Sequence, residues 1–350
     1  MPASNPYVTG FGRIPVRFIG RDVLIDEIVD ELNSDPVRGQ AYKLTGIRGT
    51  GKTVTLTAIE RRLREDDSWI VIGVKPEGNI MEDIISALYH EVPLLSDFFS
   101  TSLNLSQFGI GVNISNSAPV SSLDYALKKI MKEIEKRGKR LLITIDEVKN
   151  SSAIRDFVLE FQLLIREDLP IYLVVAGLYN DIESLENADH LTFFLRAEKY
   201  EMKPLNHTLI RADYIKTLGV SMEVADQMAA LTKGYAFAYQ VLGKYMWDLK
   251  AKEITDDVLI RFDEALSEKV YRKIWSELSP KERWFLGYIV TKEKMPVSEL
   301  LEMTAQKKNQ FSKPRQGLKE KGVIDTSIRG IISIKLPRFK EFVEAQEEEY

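Results

Sequence analysis

Short runs of apolar residues alternate with helix-like segments along the first two-thirds of the chain. Such runs, bounded by polar residues, are typical of strands, and their alternation with helices predicts a parallel sheet covered on both faces. The predicted strands are residues 41–45, 69–74, the apolar start of 141–150, 171–177 and 199–205. The pattern therefore predicts an α/β protein.

Residues 207–278 follow a helical pattern, interrupted at TLGVS, TKGYA and AKEITDD. Three shorter helices are expected after this region. The first spans 280–290, with Ser279 as its cap and Glu282 completing a capping box, and the second is VSELLEMT.

The third predicted helix has Ser312 as its cap, Pro314 in its first turn and Gly322 as its end. Two short strands around the turn TSIRG follow it. Three short helices followed by a hairpin are typical of a winged-helix domain.

Residues 102–116, SLNLSQFGIGVNISN, alternate apolar and polar residues around a Gly-Ile-Gly turn. This pattern predicts a β-hairpin inserted before the helix at 123–134. The segment carries no Lys or Arg, so it does not favour phosphate binding, and a structural flap or a protein contact is the better interpretation.

Composition narrows the class of protein. The 350 residues include no cysteine, which excludes a disulfide scaffold and a cysteine-ligated zinc site and fits a cytoplasmic location. The N-terminus lacks the pattern of a signal peptide, and no apolar run approaches the length of a membrane span. The net charge is −4, but residues 281–343 carry 14 Lys or Arg against 7 Asp or Glu. This uneven distribution predicts different partners for different regions.

The segment GIRGTGKT fits the P-loop pattern G-x-x-x-x-G-K-[ST] between a predicted strand and a predicted helix. Glycines let successive backbone N–H groups converge on phosphate oxygens, and the helix N-terminus adds partial positive charge. Lys52 is expected to reach the β and γ phosphates, and Thr53 to offer its hydroxyl to Mg²⁺. The alternative is a chance glycine turn. The expected nucleotide-binding residues of the loop are Gly46, Arg48, Gly49, Thr50, Gly51, Lys52, Thr53 and Val54.

An acidic pair of residues after another predicted strand completes the predicted site. Asp146 and Glu147 follow an apolar run, as expected at the carboxyl end of a central parallel strand. Asp146 would hold Mg²⁺ through water, and Glu147 would polarise the attacking water. A solvated Asp-Glu pair is the alternative. Lys52 and Glu147 are therefore predicted catalytic residues, with ATP or ADP and Mg²⁺ as cofactors.

With these two motifs, the chain resembles the AAA+/STAND branch of P-loop ATPases, in particular proteins related to archaeal origin-recognition initiators. FIGRDVLIDEIVDEL at 18–32, FFLRAEKYEMKPL at 193–205 and LTKGYAFAYQVLGKYM at 231–246 extend the resemblance over nearly the whole chain. It implies an AAA+ P-loop domain at 1–205, a helical lid and connector at 206–278, a winged helix at 279–345 and an acidic tail at 346–350.

The resemblance also assigns roles to two arginines. Arg21 would lie near the adenine or ribose, and its alternative is a surface position before a helix. Arg196 would be a catalytic arginine finger for a neighbouring subunit, and its alternative is an ordinary salt-bridged arginine.

Two departures from the family pattern suit a slow switch. Leu178 falls where a polar sensor is expected, so Asn180 would substitute for it. The lid has GYA at 234–236 instead of Gly-x-Pro, and it lacks the arginine of a second sensor.

The basic region around the third helix predicts a double-stranded DNA partner, because that helix can enter the major groove while the wing contacts phosphates. The expected contacts are Lys307, Lys308, Lys313, Arg315, Gln316, Lys319 and Arg329. A solvated lysine-rich surface or a protein-docking module is the alternative.

Three functions remain open from the sequence. The favoured one is an ATPase whose nucleotide state controls binding to DNA or assembly on it. The second is a STAND-like signalling switch whose winged helix docks a protein. A phosphoryl transferase is least favoured because no acceptor domain is recognisable. The resemblance also allows a homo-oligomer.

Overall fold

The computed structural model describes residues 4–10, 18–110, 122–305 and 307–348. Within them the chain forms two compact units. One unit, called here the sheet unit, comprises residues 23–46 and 52–201. The other, the C-terminal unit, comprises residues 202–350 together with 1–22 and 47–51, as far as these are described. No helix in the described ranges has the length and apolar character needed to cross a bilayer.

The sheet unit is built on five parallel strands in the order β2-β3-β4-β1-β5. The strands are β1 Ala41–Thr45, β2 Trp69–Val74, β3 Arg140–Ile145, β4 Ile171–Gly177 and β5 Glu198–Glu201. All five predicted strands are present, and the α/β fold class is confirmed. The last strand ends four residues earlier than expected.

Helices cover this sheet and form most of the C-terminal unit. Those before β5 are α1 Asp22–Leu32, α2 Lys52–Arg64, α3 Ile80–Glu91, α4 Ser96–Ser102, α5 Leu123–Lys136, α6 Ser152–Ile165 and α7 Tyr179–Glu186. Those after β5 are α8 His207–Leu218, α9 Met222–Thr232, α10 Ala236–Asp248, α11 Asp256–Leu266, α12 Arg272–Glu277, α13 Pro280–Ile289, α14 Val297–Thr304, α15 Lys308–Glu320 and α16 Phe339–Glu348. The breaks between α8, α9, α10 and α11 fall at the three predicted interruptions.

The core of the sheet unit lies around β3 and β4. Every residue of β4 is buried, and five of the six residues of β3 are buried. Apolar faces of α3, α5 and α6 pack in the same core cluster. Burial on both faces explains why these strands are continuous apolar runs without polar alternation.

Lys43 is an exception in this apolar sheet, because it lies in β1 with no exposed surface. Its Nζ donates to Glu186 Oε1 at 2.8 Å and to the Phe194 carbonyl at 2.7 Å. Lys199 binds the other oxygen of Glu186 at 2.7 Å. Burial favours protonation of Glu186, but hydrogen bonds from Lys199 and Lys43 outweigh it and hold the pKa of Glu186 below its usual value. The network fixes a 3-10 turn at Thr192–Arg196 against the sheet.

The end of the C-terminal unit follows the predicted element order, with α13, α14 and α15 before the strands β7 Ile324–Asp325 and β8 Ile331–Ile334. Ser279 and Glu282 form the expected capping box of α13. A strand that the sequence did not predict, β6 Lys294–Pro296, joins these two in an antiparallel sheet of order β6-β8-β7.

One prediction about a helix start was wrong. Helix α15 begins at Lys308, not after Ser312, and Pro314 lies inside it. The earlier start lets Phe311 pack on Phe285, with ring centroids 4.8 Å apart, and this burial outweighs the local start signal of Ser312 and Pro314. At the C-terminus, the predicted acidic tail continues α16 as far as Glu348.

The predicted hairpin at 102–116 lies partly outside the described residues. Its described part contains the end of α4 and a 3-10 turn at Ser106–Phe108, without a strand. Leu103, Leu105 and Ile110 are all buried in the core of the sheet unit. In this described part, the alternating pattern therefore comes from apolar side chains that an irregular segment places in the core.

Replacing Lys43 with Met tests the buried network. Removing one partner of a buried ion pair is strongly destabilising, so we expect the free energy of unfolding to fall by about 3 kcal/mol. Urea unfolding, monitored by circular dichroism, measures the change.

Lys199→Met is the matched control, because Lys199 binds the same carboxylate with a side chain that is 45% exposed. Its expected cost is no more than about 1 kcal/mol. Equal effects of the two substitutions would contradict a structural role specific to Lys43.

Candidate nucleotide-binding site

The turn between β1 and α2 has the backbone that its glycines allow. Gly49 and Gly51 have φ values of +74° and +92°, and α2 begins directly after them at Lys52. Only glycine adopts such conformations without a steric penalty. The loop thus reverses the chain within a few residues and ends at a helix N-terminus.

Thr53 and Asp146 meet in the sheet unit. The Thr53 hydroxyl donates to Asp146 Oδ2 at 2.5 Å, although the strands that precede these residues, β1 and β3, are separated by β4. Parallel strands present their carboxyl ends at one edge of the sheet, which brings the two side chains together. Lys52 Nζ donates to the Gly46 carbonyl at 2.9 Å in the same unit.

This donor set fits Mg²⁺. A hydroxyl and a carboxylate in contact are hard oxygen ligands, and Mg²⁺ is usually held by one or two protein ligands together with phosphate oxygens and water. Thr53 and Asp146 are the residues that would hold it. Bound there, the ion would neutralise negative charge on a nucleotide's phosphates.

Glu147 has a strained backbone. Its φ is +55°, in the left-handed region, and its amide donates to Asp146 Oδ1 at 2.9 Å. This conformation costs a non-glycine residue on the order of 1 kcal/mol and is concentrated at functional sites. The turn leaves Glu147 exposed at the end of β3, next to Asp146.

Within the C-terminal unit, the loop residues contact the start of α10. The hydroxyl of Tyr235 donates to the Arg48 carbonyl at 2.6 Å, and the Phe237 amide donates to the Gly49 carbonyl at 3.0 Å. A Cβ on Gly49 would lie 2.1 Å from the Tyr235 oxygen. In the sequence, GYA at 234–236 stands out only as a departure from a family pattern, and no local signal indicates the contact of Tyr235 with the loop.

Arg21 is also bound to the loop backbone. Its side chain is 6% exposed, and Nη2 donates to the carbonyls of Thr50 at 3.2 Å and Lys203 at 2.7 Å. The alternative of a surface position is therefore wrong. Its predicted place near the adenine or ribose stays a prediction.

Three solved structures are similar to this chain over nearly its whole length. The Aeropyrum pernix ORC2 protein in its ADP form is similar over 97% of both chains, with a TM-score of 0.51 and 14% identity. Pyrobaculum aerophilum Cdc6p is similar over 97% of both chains, with a TM-score of 0.49 and 15% identity. The A. pernix ORC1 protein in complex with DNA is similar over 96% of this chain and 94% of its own, with a TM-score of 0.47 and 16% identity.

The chain has the α/β fold of the ORC2 protein, with its five-stranded parallel sheet and covering helices. At 14% identity the likeness to the ORC2 protein establishes the fold alone. A family model described as a domain of unknown function, DUF8462, matches residues 268–343. No curated protein matches the chain.

In this fold, Asn180 lies just after the fourth strand of the chain, near the start of α7. Its side-chain oxygen is buried and has no hydrogen-bond partner within the described residues. An unpaired buried polar atom is uncommon in a folded protein. This observation supports the prediction that Asn180 replaces the missing sensor, while Leu178 only precedes the helix.

Arg196 ends the 3-10 turn that Lys43 holds through the Phe194 carbonyl. Both Arg196 and its neighbour Leu195 are exposed. Across the described ranges, Arg196 makes no ion pair, which argues against an ordinary salt-bridged arginine. Its role as an arginine finger stays a prediction.

The expected DNA contacts lie on or beside α15 and at the turn between β7 and β8. Lys307, Lys313, Lys319 and Arg329 are exposed, and Arg315 is half-buried. Gln316 donates to Glu320 at 2.6 Å within the helix. The side chain of Lys308 lies outside the described part of the chain. These basic groups thus lie in the region of α15 and the β7–β8 turn.

Gly49→Ala tests the contact of the loop with Tyr235. The substitution combines a left-handed backbone with a steric overlap, so we expect a loss of at least about 2 kcal/mol of stability in thermal unfolding.

Gly78→Ala is the control, because Gly78 has a similar φ of +80° but no atom within 4 Å of an added Cβ. Only the backbone cost of about 1 kcal/mol is expected there. Equal losses at the two positions would mean that Tyr235 moves aside freely.

Proposed function

We propose that this chain binds ATP and ADP with Mg²⁺ and hydrolyses ATP slowly. The contact between Thr53 and Asp146 carries the proposal, because it joins the end of the P-loop to the acidic strand. The AAA+ fold, shared with an ORC2 protein known in an ADP form, supports an adenine nucleotide.

The roles of the residues follow from their places. Lys52 neutralises the terminal phosphates, Thr53 and Asp146 hold the ion, and Glu147 polarises the attacking water. Its left-handed backbone orients the Glu147 side chain at a cost in stability, as expected for a group that serves catalysis. Arg196 is exposed at the end of the 3-10 turn that accepts a hydrogen bond from Lys43, which suits action on a neighbouring subunit's phosphate.

We further propose that the nucleotide state controls binding to double-stranded DNA through a winged helix at 279–345. The exposed cations on and beside α15 and at the following turn support this partner. They lie in a region with a local charge excess, which phosphate binding requires.

A protein-docking winged helix is the second candidate, and exposed apolar side chains favour it. Trp284 is 41% exposed, Met303 44% and Ile328 52%. Large exposed apolar side chains are more typical of protein interfaces than of phosphate contacts. This version corresponds to a signalling switch with the same nucleotide chemistry.

ATP turnover and nucleotide affinity, measured in parallel, test the ATPase. Lys52→Ala should lose both, because it removes charge from bound and transition states alike. Glu147→Gln should keep affinity within about threefold while turnover falls by about 100-fold, the usual size of a lost general base. Turnover that persists in Glu147→Gln would exclude Glu147 from catalysis.

The salt dependence of duplex DNA affinity separates the two partner classes. With Lys313, Arg315 and Arg329 changed to alanine, we expect weaker binding and a salt slope smaller by roughly one unit for each lost phosphate contact. A variant with Lys132 and Lys136 of α5 changed to alanine removes exposed cations elsewhere and should bind normally. DNA affinity unaffected by all of these changes would favour protein docking.

A further inference from the structure

Three consecutive carbonyls of the P-loop each accept a hydrogen bond in the C-terminal unit. Arg48 O accepts from the Tyr235 hydroxyl at 2.6 Å. Gly49 O accepts from the Phe237 amide at 3.0 Å. Thr50 O accepts from Arg21 Nη2 at 3.2 Å. The donors come from two separate places in the chain, because Arg21 directly precedes α1, whereas Tyr235 and Phe237 lie at the start of α10.

These bonds orient the peptide planes of the loop. In a trans peptide, the carbonyl of one residue and the N–H of the next point in opposite directions. Each of the carbonyls 48, 49 and 50 points to its own donor, so the N–H groups of residues 49, 50 and 51 each point away from that donor. Successive amides aimed in this way form an anion-binding concavity.

The donors are themselves fixed. Tyr235 is 6% exposed, and its amide donates to the Thr232 carbonyl at 2.8 Å. Burial raises the pKa of Tyr235 far above its ordinary value, so its hydroxyl remains a donor at any physiological pH. Arg21 is equally buried and is tied to the Lys203 carbonyl. A loop held by rigid donors loses little further entropy when a ligand binds.

We propose that Tyr235 and Arg21 are positioning residues of the phosphate site, which hold the P-loop amides ready for a nucleoside di- or triphosphate. The inference rests on the proposed nucleotide binding and goes beyond it, because it makes the start of α10 a determinant of affinity. Coupling between sites is reciprocal, so bound nucleotide strengthens the bonds from Tyr235 and Phe237 to the loop.

Tyr235→Phe and Tyr214→Phe form a matched pair for the test. Each removes one hydroxyl that donates to a backbone carbonyl, since Tyr214 is fully buried and donates to the Tyr239 carbonyl at 2.8 Å. Tyr214 lies in α8 of the same unit. Both variants should lose similar stability, but only Tyr235 holds the P-loop.

Titration of the full chain with Mg·ADP by calorimetry gives the decisive numbers. We expect Tyr235→Phe to weaken ADP affinity by about 3- to 10-fold, the effect of one hydrogen bond, and Tyr214→Phe to change it less than twofold. Hydrogen exchange of the amides at residues 49–51 should be faster in Tyr235→Phe than in Tyr214→Phe. Arg21→Met, which removes the bond to Thr50, should also weaken ADP affinity.

The outcomes separate the two proposals. If the unaltered chain binds ADP, and Tyr235→Phe and Arg21→Met bind it equally well, the inference is wrong and the proposed function stands. Equal loss of affinity in Tyr235→Phe and Tyr214→Phe also overturns the inference, since it would reflect general stability. If the unaltered chain binds neither ADP nor ATP, the proposed function fails and the inference falls with it.

Discussion

The geometry of the candidate site depends on the parallel direction of β1, β3 and β4. Because all three run the same way, the P-loop after β1 and the acidic pair after β3 emerge at one edge of the sheet, on either side of β4. The hydrogen bond from Thr53 to Asp146 joins the two segments across the end of β4. An antiparallel β3 would send Asp146 to the opposite edge. The continuous apolar character of β3 and β4, which buries them on both faces, therefore supports the candidate site as well as the core.

Much of this arrangement was predictable, because it depends on local signals. The P-loop glycines, the apolar strands and the Asp-Glu pair follow directly from composition and spacing. Capping of α13 by Ser279 and Glu282 is equally local. Each of these signals concerns a few adjacent residues whose conformation is set by their own backbone and side chains.

The features that escaped prediction depend on contacts between distant residues. Tyr235 meets Arg48 across 187 positions, and Lys43 meets Glu186 across 143. The start of α15 depends on Phe311 packing against Phe285, against the local signal of Ser312 and Pro314. In the segment 102–110, the alternating leucines suggested a strand. They alternate because an irregular segment buries them in the core of the sheet unit. A sequence pattern can indicate that a side chain is buried. It does not indicate which distant residues that side chain packs against.

The left-handed backbone of Glu147 lowers the stability of the fold at the position that carries the proposed catalytic carboxylate. Glycine there would relieve the steric cost and remove the carboxylate in the same step. Given the proposed role of Glu147, a library of variants screened only for heat resistance would be expected to enrich glycine at position 147, and the enriched proteins would melt at a higher temperature but bind nucleotide without hydrolysing it.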